Sequence, residues 1–265
     1  MTHKPQQAKS DARWEANPLF DLAAALGLLT RLPIRVDGDR ALARGARAAW
    51  AYPVVGGLVG ALGAVAGLAA LAVGLPPTLA ALAILGTTIA LTGALHEDGL
   101  ADTADGFWGG YTPERRLEIM GDSRIGTYGV LALGLSLIAR WAALSALLTA
   151  GPVFALLVAT GTLSRLPMVW LMQTLPPARK GGLSSAAGKP GILACIAATL
   201  IAILAGFWTG QAFVLEFALL ALFALGIGAI ANAKIGGQTG DVLGASQQVT
   251  EIVLLCALLI ALPSQ

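Results

Sequence analysis

Charge is nearly absent from seven long stretches of this 265-residue chain and crowded into the connections between them. The stretches run at about 48–74, 78–95, 126–149, 153–174, 191–208, 212–231 and 248–262. A helix needs about 20 mostly apolar residues to cross the hydrocarbon of a bilayer. Inside lipid, a lone segment satisfies its own backbone polar groups only as a helix. The pattern therefore predicts an all-α, polytopic integral membrane bundle of about seven transmembrane helices. Composition agrees: 12% of residues are charged, about half the share of a soluble domain. Ala, Gly and Leu dominate the runs, and Gly56, Gly57, Gly60 and Gly63 are placed to let helices approach closely.

The connections divide into two sets. Residues 75–77, 150–152 and 209–211 are uncharged turns, whereas 1–47, 96–125, 175–190 and 232–247 are polar. Seven spans put the two sets on opposite sides. Of the 17 Lys and Arg, Arg140 and Arg165 lie within spans and the other 15 all fall in the polar set. The positive-inside rule makes that side cytoplasmic. Segment 18–32 is apolar but interrupted by Asp21 and flanked by basic residues. An interfacial or re-entrant helix suits it better than a span. Residues 1–17 form a polar cytoplasmic segment without a secretory signal's cleavage pattern, and 18–265 read as a single membrane-embedded domain. Cys195 and Cys256 lie in apolar runs, where a thiol behaves as a small hydrophobe. A net charge of +2 with no basic, aromatic-interleaved stripe excludes a nucleic-acid partner; the lipid bilayer is the evident one. Nothing in the sequence specifies or forbids a homo-oligomer.

Chemistry concentrates after the second run. Seven of the 15 acidic residues fall between 96 and 125, and 96–110 read HEDGLADTADGFWGG. On a helix Asp98, Asp102 and Asp105 lie within roughly a 60° sector. Three like charges on one stripe repel unless something neutralises them. A divalent cation does so, and hard carboxylate oxygens point to magnesium, with manganese as the alternative. A solvated acidic loop has the same composition, but this stripe continues a membrane helix. Asp122 and Arg124 precede the third span, where free backbone N–H groups favour anions; a general base or extra metal ligand beside a phosphate-holding Arg would suit phosphoryl chemistry. A plain helix cap would leave the same residues. KIGGQTGD at 234–241 is glycine-rich and ends in Asp241, so its backbone at Gly237 and Gly240 could approach a phosphate. ARKGGLSSAAGK at 178–189 offers Arg179, Lys180 and Lys189, the two lysines reading more simply as loop charge. Arg140 and Arg165 are costly in lipid, so each is expected to face the bundle interior and meet a carboxylate or ligand, with Glu216 and Glu251 as candidate partners.

HEDGLADTADG (96–106), RRLEIMGDSRIGTYG (115–129), ARKGGLS (178–184) and KIGGQTGDVLGA (234–245), with TRLP (30–33) and YPVVG (52–56), resemble the cobalamin synthase family in order and over nearly the whole chain. The resemblance implies a magnesium-dependent phosphotransferase of the bacterial inner membrane with a cytoplasmic active site. It implies joining of adenosylcobinamide-GDP to α-ribazole or its 5′-phosphate, with release of GMP, as the last assembly step of cobalamin. It assigns Asp98, Asp102, Asp105 and Asp241 to metal, Asp122, Asp105 and His96 to catalysis, and Arg124, Arg165, Arg179, Lys234, Gly237 and Gly240 to phosphate. Glu97 stands where the family often carries an apolar residue and is left without a role. DTADG at 102–106 also resembles the first half of the CDP-alcohol phosphotransferase motif, but Gly126 stands where its second half needs Asp. A transporter or channel is the reading from another class. It is weakened by carboxylates at one face rather than the midplane.

Overall fold

The punctuation that ends each helix is local. Asn17, Asp37 and Thr112 accept backbone N–H groups as N-caps, and Pro53, Pro77, Pro113 and Pro167 occupy first turns, where a missing N–H costs nothing. The computed structural model describes residues 17–179 and 181–261. The polar segment 1–17 lies outside the described residues except for Asn17, and so does Lys180. In chain order the helices are α1 (Pro18–Leu29), α2 (Gly38–Arg44), α3 (Tyr52–Ala72), α4 (Pro77–Thr92), α5 (Leu95–Gly109), α6 (Pro113–Met120), α7 (Thr127–Ala150), α8 (Val153–Leu163), α9 (Leu166–Thr174), α10 (Leu183–Ala187), α11 (Ile192–Gly206), α12 (Phe213–Ile235) and α13 (Gly240–Ala261). Short 3-10 segments at Gly45–Ala51 and Phe207–Ala212 lead into α3 and α12. Among the described residues the one β-type pairing is an isolated bridge between Pro177 and Gln238.

The protein is a polytopic helical membrane bundle. Among the described residues five helices are long and apolar enough to cross a membrane, or six if the bent pair α4 and α5 forms one broken span. One of the five is the stretch 192–235, which the sequence divides in two at 209–211; Gly210 there is non-helical, at φ 60° and ψ −117°. The run expected at 153–174 breaks at Ser164 and Arg165 into α8 and α9. The last run begins at 240, not 248, because the polar residues Ser246, Gln247 and Gln248 are buried within α13 rather than solvated. With 12 residues, α1 is about 18 Å long, too short to span.

Glycine sets the closest contacts. A Cβ on Gly56 would lie 2.0 Å from the Gly161 carbonyl oxygen, and one on Gly60 would lie 2.1 Å from that of Leu157, so α3 and α8 touch backbone to backbone. Further along α3, Gly63 and Gly67 admit Ile84 of α4. At the other end, Ala81, Leu147, Val153, Ala212 and Leu258 share an apolar cluster, which brings the three uncharged turns to one side.

The polar loops interlock on the opposite side. α5 is bent 86° from α4, and two successive left-handed residues make the bend: Gly93 at φ 62° and Ala94 at φ 58°. Arg31 fixes it from outside. Its N–H donates to the Leu91 carbonyl at 2.6 Å, and its side chain fills the space where a Cβ on Gly93 would go. The bend, with four carboxylates on α5, lays this helix across the end of the bundle instead of along the spans. α1 is anchored beside it. Asp21, which the sequence marks as an interruption, is buried and accepts from Arg44 at 2.6 and 2.7 Å and from the Trp50 indole at 2.9 Å.

Candidate active site

α5 and the first turns of α13 come from opposite ends of the chain and pack through glycine. A Cβ on Gly99 would lie 2.8 Å from the Asp241 carbonyl oxygen, and one on Gly244 would lie 3.3 Å from the His96 backbone. This contact sets Asp98 and Asp102 beside Asp241, with Arg179 close enough to act on both Asp102 and Asp241. Burial first, then the charges of Asp98, Asp241 and Asp105, push the Asp102 carboxyl up to about 7, against the opposing pull of Arg179. The Asp241 carboxylate accepts from the Thr239 hydroxyl at 3.1 Å. Among the described residues no three His, Cys, Asp or Glu side chains are yet gathered into a preformed metal cage.

Asp105 is placed differently from its neighbours on the stripe. Its two carboxylate oxygens accept the N–H groups of Gly126 at 2.7 Å and Gly129 at 2.9 Å, so it caps the start of α7 from another helix. A Cβ at either glycine would strike that carboxylate. Asp122 and Arg124 pair with each other at 2.7 Å on the exposed loop before α7, and the Arg124 guanidinium holds the Asp122 carboxyl below its ordinary range. This loop borders the carboxylate cluster through Arg179, which lies near Gly121 and donates to the Leu117 carbonyl at 2.6 Å.

Lys234 and Gly237 hold loops together. The Lys234 ammonium donates to the Phe107 carbonyl at 2.8 Å, covering the end of α5, and sits over the Trp108 ring. Arg116, to which the sequence reading gave no role, joins the same lock by donating to the carbonyls of Gly110 at 3.0 Å and Lys234 at 2.8 Å. A Cβ on Gly237 would lie 2.1 Å from the Pro176 carbonyl oxygen, where the loops 176–178 and 238 exchange two backbone hydrogen bonds. Gly240, in contrast, faces open space and lines a cavity.

That cavity measures about 400 Å³, and Asp98, Asp241 and His96 stand in its wall. On its inner side His96 meets a buried polar network. Arg140 donates to Glu97 at 3.0 Å and lies 3.6 Å from Glu251; Arg165 lies 3.6 Å from Glu251 and donates to Ser164 at 2.9 Å. Gln248 bridges Glu97 and Gln247, and Gln247 reaches Ser164 and Glu251. Both span arginines thus face the interior and meet carboxylates, as the cost of charge in lipid requires. Their partners correct one expectation: Glu251 takes part and Glu216 does not, being buried in the first turn of α12 near Thr209, away from both arginines. Arg165 lies inside this network rather than on the loop face. Glu97, left without a role on resemblance, is the second carboxylate. Its signal in sequence is arithmetic: two buried cations need two anions. Gln247, Gln248 and Glu251 were visible as a polar stripe one turn long on an apolar helix.

A bundle of apolar helices that draws carboxylates and a guanidinium group from distant loops to one face defines a multi-pass membrane protein with a polar site at its surface. Within that class, the chain belongs to the cobalamin-5-phosphate synthase family, which residues 21–259 match. It is 48% identical over 243 residues to an adenosylcobinamide-GDP ribazoletransferase of Bradyrhizobium diazoefficiens, covering 90% of this chain and 93% of that one. Enzymes of the same name from Azorhizobium caulinodans and Brucella ovis are 44% and 43% identical over 255 residues, covering 91% of this chain and 96% and 97% of theirs. No solved structure matches the chain.

Proposed function

We propose that the protein is a membrane phosphotransferase that joins adenosylcobinamide-GDP to α-ribazole, or to its 5′-phosphate, with release of GMP, at the cytoplasmic face of a bacterial inner membrane. The observation that carries this reading is the meeting of Asp98, Asp102 and Asp241 with Arg179 at the loop face. The family and the names of the relatives supply the substrates.

The donor set suits magnesium. Three neighbouring carboxylates with one nearby cation leave negative charge in surplus, which adds to burial in pushing the Asp102 carboxyl up. Magnesium is ordinarily held by one or two carboxylates together with substrate phosphates, so a complete protein cage is not required. Asp98 and Asp102 would hold it, with Asp241 adjacent. When bound, the ion supplies charge neutralisation to a diphosphate and its leaving group.

The chain's own residues then position and neutralise, which phosphoryl transfer needs more than covalent help. The ribazole 3′-hydroxyl oxygen forms a bond to the phosphorus that carries cobinamide. The bond from that phosphorus to the bridging oxygen breaks, and GMP leaves with that oxygen. The hydroxyl proton goes to a carboxylate, for which Asp241 is better placed than Asp122, whose basicity is reduced by Arg124. Arg179, which acts on both Asp102 and Asp241, would meet the charge that develops on the leaving phosphate, and the exposed Arg124 would meet the donor from the rim.

The test is GMP release from adenosylcobinamide-GDP by the purified full-length protein, with and without α-ribazole. Release dependent on both ribazole and magnesium, stopped by EDTA and restored by added magnesium, is expected. Ribazole-independent or chelator-resistant release would overturn the reading.

A further inference from the structure

We infer that the 400 Å³ cavity beside Asp98 and Asp241 is the slot for the aromatic base of the nucleoside acceptor, and that its α1 and α9 walls set which base is accepted. The inference rests on the proposed transfer reaction and specifies where its second substrate lies. The cavity has two chemically different sides. His96, Asp98 and Asp241 of the packed helices α5 and α13 form one side, and apart from Tyr52 and Ser184 the rest is walled by aliphatic and sulfur-containing side chains, among them Ala24 and Leu28 of α1, Ala41 of α2, and Met168 and Met172 of α9. A ligand that fills it must be apolar and flat-sided at one end and carry a hydroxyl-bearing portion at the other.

The two substrates differ in just this respect. The donor brings a corrin macrocycle with many amide arms and a guanine whose edge needs several hydrogen-bond partners; the first is too wide for the space and the second would leave its polar edge unmatched there. The acceptor brings a methylated benzimidazole on a ribose. Its volume falls at the low end of the roughly 300–1,000 Å³ span of small-molecule pockets, the range in which this cavity lies. Thioethers at Met168 and Met172 make favourable contacts with aromatic edges and adapt to their shape. With the base against them, the ribose points to Asp98 and Asp241, which puts its hydroxyl at the carboxylates and leaves the Arg179 side for the departing nucleotide. The order of environments is apolar slot, carboxylates, guanidinium. It matches the order acceptor base, reacting phosphorus, leaving phosphate.

The anchoring of α1 gives the slot a fixed wall. Asp21 ties α1 to Arg44 and Trp50, at the point where α2 passes into the 3-10 segment. The slot thus has one wall on a short surface helix and the other, at Met168 and Met172, on a span.

Two variants outside the carboxylate cluster test this. Ala24→Phe narrows the slot and Met172→Ala widens it. In full-length protein in nanodiscs, Ala24→Phe is expected to raise the KM for α-ribazole by about ten-fold or more, the range for one misfitted group in an apolar pocket, with the KM for adenosylcobinamide-GDP unchanged. Met172→Ala is expected to reduce the preference for the dimethylated base over unsubstituted benzimidazole riboside by about ten-fold. Equilibrium dialysis of α-ribazole alone should show the same loss for Ala24→Phe. If donor KM moves instead, the slot belongs to the donor; if neither KM moves and the lipid requirement changes, it holds an acyl chain. Either result overturns the inference. A wild-type protein that releases no GMP sinks the reaction itself, whereas active variants without these shifts sink only the slot.

Discussion

Asp102 is the residue on which charge and chemistry conflict most directly. A carboxyl raised to about 7 keeps its proton in the folded protein at pH values where the unfolded chain, near 3.8, has lost it. Folded stability from this group is therefore present at low pH and lost as pH rises through about 7. Without metal, the melting temperature of the wild type should fall between about pH 4 and pH 7 and level off above that, and Asp102→Asn should remove this group's part of the fall. Magnesium should raise the melting temperature of the wild type more at about pH 8 than at about pH 6, because protons compete with the ion for this carboxylate. Asp102→Asn should lose the magnesium-dependent rise and transfer activity while remaining folded in detergent. Near-normal turnover in this variant would remove Asp102 from the mechanism. Residue types were legible in the sequence, and individual duties were not. Asp98, Asp102 and Asp105 share a stripe at i, i+4 and i+7, yet Asp105 spends its oxygens on the N–H groups of Gly126 and Gly129. That assignment depends on where α7 starts in space, and helical periodicity carries no such information. Lys234 and Gly237 share the case, since each meets a carbonyl from a loop far away in sequence.

Helix pairs show which glycines are structural. Gly60→Ala would force a methyl to 2.1 Å from the Leu157 carbonyl oxygen, where backbone cannot yield easily. A loss of about 1–3 kcal/mol is expected, read as a lower melting temperature. Gly86 and Gly226 have nothing within 4 Å, so alanine there should be neutral or stabilising by up to about 1 kcal/mol. Equal effects at all three sites would refute the backbone contact between α3 and α8. The polar network makes a second prediction for elements. Arg140→Met removes the cation paired with Glu97 and one of the two arginines beside Glu251, and removing one partner of a buried pair costs about 3–5 kcal/mol. Adding Glu97→Gln should recover a substantial part of it, and an additive double variant would argue against their pairing. Hydropathy located most helices within a few residues because apolar surface facing lipid is a strong, local signal. It misplaced the start of α13 because buried amides that satisfy one another look like loop residues in a one-dimensional profile. The 86° turn at Gly93 and Ala94 was equally invisible, since it relies on Arg31 from a preceding segment.

For the whole molecule, the partition of charge predicts orientation. A cysteine at position 76 in the turn between α3 and α4 should react with an impermeant reagent applied outside the cell, and one at position 185 in α10 should react only after permeabilisation. The reverse pattern would turn the carboxylate face outward, away from a cytosolic supply of nucleotide. The contact between Gly99 and Asp241 also has a consequence in time. One side of the site, on α5, is translated more than 100 residues before the other, on α13. A nascent chain therefore exposes Asp98 and Asp102 long before the helix that completes their surroundings leaves the ribosome. Until α13 is delivered to the membrane the site lacks one of its sides, and any truncation before α13 should yield an inserted but inert bundle.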